Sequence, residues 1–255
     1  MGTRSGFDAA MDALANAHRS RASLCDPFVD VLPVTGASIS VLSRDFGTQT
    51  ICASDRQAAR LDELQFDLGV GPCWDAVSRH VPIIEPDVRN TTTAAWPPFI
   101  EAIQHDDVGA LYAFPLVIGA LDVGAVDLYS TSTGGLSPAD IRHASSLASV
   151  AARQVLRRVV ATDDSAEAQG DAALVDELDA AGAGASDFAS TGFGSSRREI
   201  HQATGMVLAQ LSISAEDALL LLRGRAYSSG RSLSEVANDV VERRLSFAPR
   251  EDGEG

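Results

Sequence analysis

Helix-spaced residues near the carboxy-terminal end offer the clearest chemistry in this sequence. In the run EIHQATGMVLAQ, residues 199–210, a turn of about 100° per residue gathers Ile200, Thr204, Val207, Leu208 and Leu211 into one apolar stripe. The same turn gathers Arg198, Gln202, Gly205 and Ala209 on the opposite side. A glycine costs a helix about 1 kcal/mol relative to alanine, so Gly205 on an outward strip asks for a use. Further on, Arg223 and Tyr227, with Glu216 and Leu220, point away from the apolar stripe of the next helix. Arginine and tyrosine planes stack on unpaired bases, which RNA loops splay out. A side-chain-free glycine lets a sugar–phosphate backbone or a base come close. The same strip also suits a solvated surface or contact with another protein helix.

A second stretch, GVGPCWD at residues 69–75, holds Cys73 and Trp74. A catalytic thiol needs a positive surrounding and usually a resolving partner, and no Arg or His adjoins Cys73 in sequence. Two further readings stay open: Cys73 and Trp74 as sensors of a ligand or redox signal, or Cys73 packed as a small apolar residue after a glycine turn. Asp45, Asp55, Glu63 and Asp67 form no carboxylate pair that spacing can establish. His18, His80, His105, His143 and His201 form no metal-ligand pattern. No phosphate-binding glycine loop of the P-loop type is present either. No catalytic residue, metal or cofactor is therefore assigned.

The 255 residues allow one or two domains with real cores. No apolar run approaches the 18 residues of a membrane span, and the amino terminus lacks the apolar block of a secretory signal. A cytoplasmic location with no membrane partner is expected. Cys25, Cys52 and Cys73 are widely scattered, and in a cytosolic chain they read as buried or idle thiols. The net charge is −15, but residues 161–196 hold eight acids and no arginine, whereas residues 197–250 hold eight arginines against six acids. That terminal segment is near neutral and compatible with nucleic acid.

Phe7, Ala10, Met11, Leu14 and Ala17 keep helical spacing at the start. Strands are expected at 37–42, 50–53, 81–84, 111–117 and 123–129. Helices are expected at 58–66, 73–79 and 98–105. A longer one at 138–159 carries Ala144, Leu147, Ala148, Ala151, Val155 and Val159 on one side. Strands following strands, with helices at the ends, imply an α+β fold with a mainly antiparallel sheet. Residues 161–196 are acidic, small and glycine-rich and read as a flexible linker, with room for a short helix at 171–181. Three helices then follow, announced by the capping patterns Ser196…Glu199, Ser214…Asp217 and Ser232…Glu235. The second buries Ala215, Ala218, Leu219, Leu222 and Ala226. The third buries Leu233, Val236, Ala237, Val240, Val241 and Leu245.

On these residues the terminal unit resembles the ANTAR domain. It carries A-x-G at Ala203-Thr204-Gly205, A-x-x-x-L-R-x-x-A through Ala218, Leu222, Arg223 and Ala226, and L-x-x-V-A at Leu233, Val236 and Ala237. That resemblance implies binding of paired RNA stem-loops and relief of transcription termination. It makes Arg198, Gln202, Thr204, Gly205, Arg223 and Tyr227 the candidate RNA-binding residues. Thr204 stands where the family often has a basic residue. LQFDLGVGPCWDAV (64–77), WPPF (96–99), FPLVIG (114–119) and GAVDLYS (124–130) resemble a GAF domain of the kind fused to ANTAR domains. This implies a sensory module whose ligand is a small molecule or redox signal of unknown identity.

The expected plan is a leading helix (1–24), a GAF domain (25–160), an acidic linker (161–196), a three-helix ANTAR domain (197–247) and a tail (248–255). The expected function is a non-enzymatic, signal-responsive RNA-binding antitermination regulator. It is expected to work as a homodimer through the apolar sides of the leading helix and helix 138–159. The alternatives are a GAF-type free methionine sulfoxide reductase acting through Cys73 and a helix-turn-helix regulator of duplex DNA. The third helix carries few cations for the latter (Arg243 and Arg244 beside Glu235, Asp239 and Glu242).

Overall fold

Alternation along ASISV, residues 37–41, decides how the first domain is built. The computed structural model describes residues 6–20, 22–43, 47–91, 95–169 and 193–248. Helices α1 (Gly6–Ser20) and α2 (Asp26–Val31) precede strands β1 (Gly36–Ser43) and β2 (Gly47–Ala53). Next come α3 (Arg56–Leu68), α4 (Pro72–Arg79), β3 (Ile83–Glu85), α5 (Pro97–Ile103), β4 (Ala110–Ile118), β5 (Leu121–Ser130) and α6 (Pro138–Gln169). After the undescribed stretch come α7 (Phe193–Leu211), α8 (Ala215–Ser229) and α9 (Leu233–Val241). The chain divides into two compact units, the second of which holds α7, α8 and α9.

The five strands run in the order β2-β1-β5-β4-β3, and every neighbouring pair is antiparallel. This is the expected α+β class. Side chains alternate across a sheet, and the register Ala37↔Leu128, Ile39↔Val126 puts these residues on one face. With Tyr112, Phe114 and Leu116 of β4 they form the main core, closed by α1, α2 and α6. Ser38↔Asp127 and Ser40↔Ala125 occupy the other face.

Several boundaries and contacts differ from the sequence expectation. Leu14 and Ala17 of α1 share the buried core with Ala144, Leu147, Ala151 and Val155 of α6. The apolar sides expected to form a dimer contact therefore pack within one chain: both helices need to bury the same kind of stripe, and each is nearest the other. Helix α2 was not legible, because six residues hold too few turns for a periodic signal. Helix α6 runs on to Gln169, nine residues into the expected linker. Once a helix exists, adding Ala- and Glu-containing turns is far easier than starting one. The expected short helix at 171–181 lies outside the described residues. Cys25 and Cys52 are not idle thiols but form a disulfide, and Cys73 remains free. Their 27-residue separation hid a Cα–Cα distance of 6.1 Å.

In the second unit, Ile200, Ala203 and Val207 of α7 are buried, as are Ala218, Leu222 and Ala226 of α8 and Leu233, Val236, Ala237 and Val240 of α9. Ala215, expected inside, is exposed. Helix α9 stops at Val241, so Leu245 lies beyond it in the chain that turns back through the left-handed Arg243. Ser214 caps α8 by accepting from the Asp217 N–H, and Ser232 with Glu235 makes a full capping box on α9. Ser196 lies inside α7, which begins three residues earlier at Phe193, and its side chain is outside the described residues. Ser214→Ala and Ser232→Ala are each expected to lower the stability of this unit by about 1 kcal/mol in urea unfolding of the full chain. Ser196→Ala is expected to leave it unchanged.

Candidate functional site

The sheet face that carries Ser38, Ser40 and Asp127 is the unusual surface of the first unit. All three are buried, together with Asp62 and Gln65 of α3. Asp62 takes two hydroxyl donors, Ser40 Oγ to Oδ1 and Thr50 Oγ1 to Oδ2, each at 2.5 Å. Asp127 is less well served: its Oδ2 is buried with no hydrogen-bond partner. Burial pushes its carboxyl up from 3.8 to about 8, the nearby Asp62 charge adds to this, and a hydrogen bond from Gln65 opposes it. A carboxylate pair therefore exists, but α3 and β5 bring it together, so no spacing could announce it. The one local signal was an acid at an interior strand position between Val126 and Leu128. Trp96, at the start of α5, likewise buries an indole N–H without a partner.

Cys73 and Trp74 lie on this same side. Gly71 caps α4 with φ 146°, a conformation that favours glycine, and a Cβ there would meet the Gln65 side chain at 2.5 Å. The turn lets Gln65 Oε1 accept from the Cys73 N–H at 2.9 Å, while the Gln65 carbonyl accepts from Trp74 Nε1 at 2.8 Å. Cys73 is 2% exposed and packs with Leu42 and Ala125. Cys52, by contrast, sits opposite Ile39 against the helix-covered core. The sheet thus stands between Cys73 and the joined pair Cys25–Cys52. Among the described residues no three His, Cys, Asp or Glu side chains group as metal ligands.

In the second unit, Gln202, Gly205 and Ala209 lie on the exposed strip of α7. A Cβ on Gly205 would meet nothing within 4 Å among the described residues, so the glycine does not serve helix packing. Thr204 is half-buried, its hydroxyl donating back to the Ile200 carbonyl at 2.7 Å. Arg198 lies in α7, and its side chain is outside the described residues. Arg223 and Tyr227 stand one turn apart on α8, but only the Tyr227 ring is open, at 71% exposed, whereas Arg223, expected to point outward, is half-buried. Leu220, at 65%, lies on the same helix near the equally open Gly224.

Between α7 and the chain after α9 runs a groove of about 350 Å³, lined by Met206, Ala209, Gln210, Val240 and Arg243 among others. Sequence reasoning missed it, because α9 was expected to continue past Arg243. Other arginines here are engaged: Arg231 and Arg244 both pair with Asp239 at 2.7 Å, which holds that carboxyl below its usual range.

A GAF domain model matches residues 18–155. The chain belongs to the GAF family. An ANTAR domain model matches residues 195–241, so a GAF domain is followed by an ANTAR domain, the architecture of a signal-responsive regulator. A search of curated proteins found no match. Among solved structures the chain is similar to a GAF domain of a phosphoenolpyruvate-protein phosphotransferase from Coxiella burnetii, at 12% identity and TM-score 0.45, covering 66% of this chain and 98% of that one. It is similar to the GAF domain region of a putative membrane protein from Geobacter sulfurreducens at 15% and 0.43, covering 60% and 99%. It is also similar to a type II free methionine-R-sulfoxide reductase from Thermoplasma acidophilum at 18% and 0.40, covering 60% and 96%. Likeness at this level carries no argument about activity. Among the described residues no single helix is long and apolar enough to cross a membrane.

The raised Asp127 carboxyl has a pH signature. Below about 3.8 the folded and unfolded chains both hold its proton, and the neutral group fits the face at full stability. Between there and about 8 only the folded chain keeps it, so stability falls as pH rises, and above that the loss is complete. Asp127→Asn is expected to flatten this slope. It should stabilise the first unit at pH 8.5 by more than about 1 kcal/mol relative to its effect at pH 4, as read by urea unfolding at the two values.

Proposed function

We propose that the protein is a cytoplasmic, signal-responsive regulator of transcription antitermination whose ANTAR domain binds RNA stem-loops. The observation that carries this reading is the open strip around Gly205. It places a side-chain-free helix surface where no described residue packs and continues through Ala209 into the groove that holds Arg243. A nucleic-acid backbone can approach such a strip closely. Tyr227 offers an exposed ring for base stacking, worth about 1–3 kcal/mol per base in single-stranded complexes. Arg198, Gln202, Thr204, Gly205, Arg223 and Tyr227 are the proposed RNA-binding residues, with Arg243 added from the groove.

The signal is a small molecule or redox change received by the GAF domain, and its proposed site is the sheet face around Asp127, Cys73 and Trp74. A ligand with a hydrogen-bond acceptor would take the proton that the neutral Asp127 carboxyl keeps and so satisfy its unpartnered oxygen, whose burial is otherwise costly. The work is binding, not catalysis. The protein is proposed to act as a homodimer, through surfaces other than the apolar stripes of α1 and α6.

Binding is tested with the full chain against double-hairpin RNA, single-hairpin RNA and duplex DNA. Tyr227→Ala is expected to weaken double-hairpin binding about tenfold, in line with loss of one stacked base. Gly205→Leu is expected to weaken binding by a similar factor while raising helix stability, because leucine is the better helix former and the space is open. Unchanged affinity in both variants rejects the surface, and preference for duplex DNA rejects the RNA reading. The near-neutral unit predicts a shallow dependence of affinity on salt.

A further inference from the structure

The disulfide between Cys25 and Cys52 sits at a junction. Cys25 is fully buried immediately before α2. Cys52 is half-buried in β2, an edge strand paired only with β1. The chain just before Cys25 is fastened to α6: Arg158 Nη2 donates to the Ala22 carbonyl at 2.8 Å, and Gln154 Nε2 donates to the Ala15 carbonyl at 2.8 Å. The crosslink and these bonds therefore connect the sheet edge, the α1–α2 connector and α6. Helix α6 is also the last described element before the chain passes on to the ANTAR domain.

We propose that Cys25–Cys52 is a thiol–disulfide site, reduced by a protein dithiol of the Cys-x-x-Cys class, and that its reduction loosens the hold on α6. The role as a signal rests on the antitermination reading above. A chain that works where RNA is transcribed works in a reducing compartment, and mesophile disulfides there are transient, catalytic or redox-sensing.

The exchange has a defined direction, because Cys25 offers no exposed sulfur. A thiolate of the reductant attacks Cys52 Sγ, forming a mixed disulfide and breaking the Cys25–Cys52 bond. The electron pair goes to Cys25 Sγ, which takes up a proton because burial disfavours the thiolate. The second thiolate of the reductant then attacks its own mixed sulfur, and Cys52 leaves and is protonated. Two electrons and two protons reach the protein, and the dithiol becomes a disulfide. Cys73, on the far side of the sheet, takes no part.

The test treats the oxidised full chain with a thioredoxin-class protein and follows alkylation by mass spectrometry and amide hydrogen exchange together. Support requires alkylation of Cys25 and Cys52, with exchange at least about tenfold faster in residues 15–25 and 150–160. Strands β4 and β5 should stay protected, and reoxidation should restore the starting pattern. Cys73→Ser is expected to behave as wild type, and Cys25→Ser/Cys52→Ser to match the reduced chain without treatment. A bond that resists the dithiol overturns the proposal. So does reduction that leaves exchange unchanged, or that also strips protection from β4 and β5, since the bond is then a plain structural staple. Affinity for double-hairpin RNA is measured in both states. No binding in either state counts against the RNA reading, whereas exchange alone decides the redox site.

Discussion

Much of the first unit follows from one constraint: its central strands carry different chemistry on their two faces. Alternation along β1 and β5 sends Ile39, Val41, Val126 and Leu128 to one side, where α1, α2 and α6 exclude water. The same alternation sends Ser38, Ser40 and Asp127 to the other side, which is also buried. Hydrophobic burial on the first face supplies the free energy of folding. The second face is burdened by polar groups that need partners. Asp62 finds them in Ser40 and Thr50, and Asp127 leaves one oxygen without any. Natural folds keep such mismatches mainly where they serve a function, which is why this face is the candidate sensory surface.

The second unit shows the opposite economy. Its interior is filled by small and branched residues from three short helices, and its helix ends are secured locally by Ser214 and by the Ser232–Glu235 box. Against that background Gly205 and Gly224 weaken their helices with no packing gain, since an added Cβ there would meet nothing within 4 Å among the described residues. Tyr227 and Leu220 are equally expensive to leave in water. A unit this small cannot spend stability freely, so these features fit a surface kept open for contact.

Signalling between two domains needs two states with different affinity for the signal. The first unit supplies two places where such states can differ: the buried Asp127 environment and the crosslinked junction at Cys25–Cys52. Both adjoin elements that tie into the sheet, but only the junction is bonded to α6, through Gln154 and Arg158. Helix α6 extends beyond the core it covers, to Gln169.

What the sequence determined by itself was local and periodic. Five strands, the longer helices, the helix caps at Ser214 and Ser232 and the outward place of Gly205 follow from backbone geometry acting over a few residues. The motifs of the GAF and ANTAR domains were legible for the same reason, being short runs with their own spacing. The tertiary structure decided everything that depends on which distant segments meet. It joined Cys25 to Cys52, set Asp62 beside Asp127, and turned the apolar stripes of α1 and α6 toward each other rather than toward a second chain. Periodicity says that a face must be buried but not what buries it. Strand register and helix docking make that choice, and they are properties of the whole packed unit.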